Sequence, residues 1–176
     1  MGHLREVLAL LNQAATDGRI DLAVTDRAPC SATPVGPPEY LDLLTEHGSL
    51  SVHREFAGET LRFVVVDEKG AAELNRGLVH VRRGALSTAH LLGFAEAGDD
   101  AAWCFDITDD AFPVYYVHLQ EPKARRVDTG EWENPADATP DFPSFAVWLD
   151  VMAAAFTSPQ PPRWFPYLGE PGLTFT

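Results

Sequence analysis

Six carboxylates fall within fifteen residues, Glu96, Asp99, Asp100, Asp106, Asp109 and Asp110, with no Lys or Arg among them. Three kinds of chemistry use such a set. Oxygen ligands can gather a calcium ion, but an EF-hand loop needs acidic residues at alternate positions, a central glycine and a glutamate at position 12. The stretch "DITDDAFP" does not supply that order. Two carboxylates can share general acid–base work, which requires a cleft and a partner group that the sequence does not indicate. The remaining readings are a set of solvated turn aspartates and an anionic patch that docks a basic partner.

The other reactive side chains are dispersed. Six histidines (His3, His47, His53, His80, His90 and His118) show no spacing that brings three or four ligands onto one metal. Cys30 and Cys104 form no CxxC pair and read as reduced thiols of a cytosolic protein. His47-Gly48 sits at a marked junction, yet no Ser, Cys or Asp partner is in view. The chain also lacks the GxxxxGK[ST] phosphate loop, GxGxxG, GxSxG and HExxH. No catalytic residue, metal or cofactor is therefore expected, and the expectation is a non-enzymatic protein.

Charge narrows the partners. Twenty-six Asp and Glu against 13 Lys and Arg give a formal net charge of −13. A polyanion is repelled by that balance, because nucleic-acid binding rests on Lys and Arg displacing counterions. Basic proteins are attracted by it. The N-terminal apolar stripe is short and broken by Arg5 and Glu6, so neither a membrane span nor a secretory leader is expected, and the location expected is the cytoplasm.

Elements must position these groups. Leu4, Val7, Leu8 and Leu11 recur at helical spacing up to Gly18. "DRAPCSATPVG" (26–36) reads as a surface connection. In "PPEYLDLLTEHG" the spacing predicts a short helix with Gly36 as N-cap, Pro37 in the first position, and Tyr40, Leu43, Leu44 and His47 on one face. Gly48 is expected at C′ in a left-handed conformation. "SLSVHREF" and "TLRFVVV" around "AGE" predict a hairpin, and 67–78 a short helix. Strands are expected in "HLLGFAEAG", "AAWCFDI" and "FPVYYVHL", and a small hairpin about Thr129-Gly130. Phe145, Trp148, Leu149, Met152 and Phe156 predict a closing helix begun by Pro143 and Ser144. Five prolines in the last twenty residues preclude a regular element, but Trp164, Phe165 and Tyr167 call for a strap that returns to the domain. The order is α+β: one domain, a central mostly antiparallel sheet, N-terminal helices, one inserted helix and a C-terminal helix.

Four of these pieces, "PPEYLDLLTEHGS", "LLGFAEAGDDAAWCFDI", "FPVYYVHL" and "FPSFAVWLDVMA", resemble in order and spacing the SUKH superfamily of fungal cell-wall-assembly regulators and bacterial immunity proteins. His47-Gly48 stands where Asn-Gly is commoner, and Gly98-Asp99-Asp100 lacks a second glycine. The likeness covers residues 36–157, between an N-terminal helix and connector (1–35) and the Pro-rich strap (158–176). It implies an immunity-type protein that binds and neutralises a cognate toxin, with Pro37, Gly48, Phe105, Asp106, Phe145, Trp148 and Leu149 as structural positions. The partner surface expected is the acidic run Glu96, Asp99, Asp100, Asp106, Asp109 and Asp110. The competing readings are a general interaction or regulatory module without a toxin, and a metal- or small-molecule-binding protein using that run.

Overall fold

Apolar residues alternate along two adjacent stretches, which is the period of a strand with one face turned to a core. They form β2 (Leu50–Phe56) and β3 (Glu59–Val65), paired in register from Leu50–Val65 to Phe56–Glu59. The two-residue turn between them, Ala57-Gly58, has positive φ at both positions, as the hairpin twist demands. The computed structural model describes residues 2–27 and 34–176. Cys30 and most of the expected 26–36 connector lie outside the described residues.

The hairpin belongs to an antiparallel sheet of six strands in the order β1-β2-β3-β6-β7-β8. Its other members are β1 (Asp21–Val24), β6 (Leu91–Glu96), β7 (Ala101–Asp106) and β8 (Val114–His118). Between β3 and β6 the chain forms α3 (Glu68–Leu74), a π-helical turn (Asn75–Val79) and two short strands, β4 (Arg82–Arg83) and β5 (Leu86–Ser87). These two strands make a second sheet with β9 (Arg125–Arg126). The fold is α+β and a single domain, as expected.

Both faces of the large sheet are covered. On one lie α1 (Gly2–Thr16), α2 (Pro38–Glu46), α4 (Phe145–Thr157) and the C-terminal strap, packed on Leu50, Val52, Phe63, Phe94, Trp103, Phe105, Val114 and Tyr116. The strap puts Trp164, Phe165 and Leu168 into that core and sets Phe175 against Trp103 and Tyr116. On the opposite face Leu74, Val79 and Leu91 pack on Ala102, Cys104, Tyr115 and Val117. The Cys104 thiol is free and fully buried, which pushes its pKa up and keeps it protonated.

α4 is apolar nearly all round, since it lies between the sheet and other elements. Its last carbonyls have no basic side chain of their own in the final turn. Two arginines from elsewhere supply the donors: Arg54 Nη1 to the oxygens of Ala155 (2.9 Å) and Phe156 (3.2 Å), and Arg19 Nη1 to that of Thr157 (2.6 Å). They satisfy orphan acceptors and meet the negative end of the helix dipole.

Two expectations at α2 are corrected. Pro37 is the N-cap, not the first helical residue, because a residue preceding proline is pushed out of the α region and Pro38 follows it. Gly48 does not take positive φ, and His47 is already extended (φ −137°, ψ 164°). The helix stops because β1 is waiting: the Gly48 N–H donates to the Thr25 oxygen (2.8 Å), and Thr25 N–H to that of Ser49 (3.0 Å). The close pass is what requires glycine, since a Cβ would lie 2.5 Å from the Asp26 oxygen and 2.6 Å from Thr25 Oγ1. Gly48→Ala should therefore cost about 2 kcal/mol in urea unfolding, the scale of an overpacked site; an unchanged midpoint would refute the steric account.

Candidate functional site

The acidic run is divided by a strand. Glu96, Asp99 and Asp100 stand at the β6–β7 turn, and Asp106, Asp109 and Asp110 at the far end of β7. Six steps of extended chain separate Asp100 from Asp106, about 20 Å at 3.3 Å per residue. The six carboxylates therefore do not form one patch.

Asp106 is also not a surface residue. It is 3 % exposed, and its carboxylate accepts hydrogen bonds from Thr108 N–H (2.9 Å), Thr108 Oγ1 (2.6 Å) and Arg125 Nη2 (2.7 Å). Arg125 donates through Nη1 to Thr108 Oγ1 (2.9 Å), closing the knot, and its guanidinium lies 4.3 Å over the Trp132 ring. The small hairpin expected about Thr129-Gly130 forms, with Arg126 N–H on the Glu131 oxygen and a bridge between Arg125 and Trp132. That hairpin holds the stack in place. The partner of Asp106 is structural: it joins the small sheet to the end of β7, so Asp106 leaves the docking set. Asp109 and Asp110 remain exposed beside it, with Asp109 Oδ1 accepting from Ala111 N–H in a local turn.

At the other end the fold builds a groove. Glu96, Asp99 and Asp100 meet Glu73 from α3 around an opening of about 340 Å³ floored by Leu74, Leu78 and Leu119. Leu119 is 49 % exposed. Asp99 is paired with Arg62 (2.5 Å). Glu73 was not suggested by the sequence, as it lies far from the run and its side of α3 carries no motif.

Of the residues carried over from the family likeness, Phe105, Phe145, Trp148 and Leu149 sit in the core, Gly48 and Asp106 are buried outside it, and Pro37 is half-buried. Phe105 stacks on Phe94 (4.0 Å between centroids, 11°) and takes the edge of Tyr40 at 5.3 Å. Phe145, Trp148 and Leu149 are at most 1 % exposed, and Pro37 is the N-cap of α2.

Asn75, at the start of the π turn, explains how α3 is held. Its Nδ2 donates to the oxygens of Ala71 (2.7 Å) and Gly93 (3.2 Å), and its Oδ1 accepts from Gly93 N–H (2.7 Å). One side-chain amide thus does for Gly93 what a neighbouring strand would do. Gly93 must be bare, for a Cβ would approach Val79 Cγ2 to 2.8 Å.

His90 was scattered by sequence and is buried by structure, 8 % exposed with its ring edge-on to Trp132 at 4.9 Å. Its Nε2 has no partner among the described residues. Burial, aided by the Arg125 charge and opposed by Asp106, pushes its pKa down from 6.5 to about 4.

Among the described residues no three His, Cys, Asp or Glu are grouped so as to hold a metal ion, and no helix is long and apolar enough to cross a membrane. Comparison with protein-family models, curated proteins and solved structures finds no match.

Between pH 6.5 and 4 the unfolded chain protonates His90 and the folded one does not, so stability falls as pH drops through that window. Urea unfolding from pH 7 to 4 should show His90→Gln losing less stability than the parent, by up to about 3 kcal/mol. Parallel profiles would remove His90 as the cause.

Proposed function

We propose that the chain is a non-enzymatic, immunity-type protein of the SUKH superfamily, which binds a basic toxin domain such as a nuclease in the cytoplasm of a bacterial producer and neutralises it by occlusion. The observation that carries the reading is the groove at the β6–β7 turn, where Glu73, Glu96, Asp99 and Asp100 surround the apolar floor of Leu74, Leu78 and Leu119. Carboxylates at a rim steer a cationic partner in, and buried apolar surface supplies the lasting contact. The net charge of −13 acts in the same direction over longer range. The ordered family motifs support it too, since they shape a core and leave partner choice to surface side chains. An interface of about 1,600 Å² would extend well beyond the groove.

The test is co-purification with the product of the adjacent gene, and rescue of cells that express that product. Reversal of the rim carboxylates, half-buried Glu96 and exposed Asp99 and Asp100 (Glu96→Lys, Asp99→Lys, Asp100→Lys), should slow association about tenfold at low salt, with less effect at high salt. Asp109→Lys with Asp110→Lys, about 20 Å away, should leave the rate near that of the parent. A complex indifferent to both sets would move the docking surface elsewhere. Binding without rescue would favour a general interaction module instead.

A further inference from the structure

A second opening, distinct from the acidic groove, lies between α2 and α3. It has a volume of about 420 Å³, within the roughly 300–1,000 Å³ that small-molecule sites occupy. Its walls are mainly apolar, formed by Val35, Ala71, Leu92 and the Tyr40 side chain. Asn75 also lines it, with both amide hydrogens on the Ala71 and Gly93 oxygens and its own oxygen accepting from Gly93 N–H, so it stiffens the wall. A wall held this way before binding costs little to order afterwards.

Two charged groups remain to give the opening a polarity. Glu68 lines one end, and its Oε2 is out of water with no hydrogen-bond partner among the described residues. A buried acceptor left so is destabilising until a donor reaches it. The final torsion of a glutamate is soft, so this oxygen can turn toward an occupant. Arg76 also lines it, eight residues on, in the π turn that follows α3. It makes no ion pair among the described residues and repels a cation from its vicinity.

We propose that this opening binds a small organic cation, an ammonium or guanidinium group on an apolar body, with the cation on Glu68 and the body along Ala71, Leu92 and Tyr40. A free amine and the lysine side chain of a partner share that chemistry. The charge of −13 raises the local concentration of either. The proposal is independent of the toxin-binding reading, because no residue of the acidic groove takes part.

The experiment is an amide NMR titration of the full chain with n-hexylammonium, n-hexanoate and n-hexanol, with a capped lysine amide as a fourth probe. Saturable shifts confined to residues 35, 40, 68–76 and 92 are expected, with hexylammonium at least tenfold tighter than hexanoate. Glu68→Gln should keep the melting temperature and abolish the advantage of hexylammonium over hexanol. Matching behaviour of the capped lysine would assign the site to a partner's side chain, and hexylammonium alone to a free amine. Shifts spread over the acidic surface, or unchanged by Glu68→Gln, would overturn the proposal, as would the absence of any saturable response.

Discussion

Strand β7 is buried along its whole length on both faces, and this constraint organises the rest of the molecule. A strand with no wet side must be covered twice. Trp103 and Phe105 point to the helical side, where their bulk demands the aromatic surface of α2, α4 and the strap. Ala102 and Cys104 point the other way, where their small size admits a close cover of Leu74, Val79 and Tyr115. The size asymmetry across one strand thus decides which cover is deep and which is tight. The tight side leaves no room for a side chain at Gly93, and there Asn75 takes the place of a strand.

The same economy governs charge. The cations are few, and several act inside the fold. Arg19 and Arg54 close the end of α4, Arg125 neutralises buried Asp106, Lys123 pairs with Asp141 at 2.9 Å, and Arg62 holds Asp99. Guanidinium suits this work, since its planar fork satisfies several acceptors at once. The outcome is a one-sided surface, because half-buried Arg54, Arg62 and Arg125 are committed to partners within the fold while most carboxylates stay exposed. The two acidic ends of the sheet and the field around them follow from where the arginines are spent.

Much of the fold was legible because it is written in local periods. The β2–β3 hairpin, α1, α4 and its Ser144 cap follow from alternation, helical spacing and turn chemistry. Strand β1 was not, since four residues at a sheet edge, three of them exposed, carry no alternation to read. Missing it made Gly48 look like a left-handed cap, when its real constraint is the chain passing beside it. β4 and β5, two residues each, are defined only by their pairing. The candidate site was half legible: the carboxylates were visible, but not that β7 parts them, that Asp106 turns inward, or that Glu73 joins the other end.

By itself, then, the sequence determined the class of fold, the aromatic core that α4 and the strap complete, and the anionic character of the surface. These depend on which side chains recur at which period and on a sum of charges, quantities that need no coordinates. Only the tertiary structure decided which acidic residues share a surface, which arginines are consumed in holding the chain, and where an opening remains between α2 and α3. Those depend on distances between residues far apart in sequence, which packing sets and local pattern does not encode.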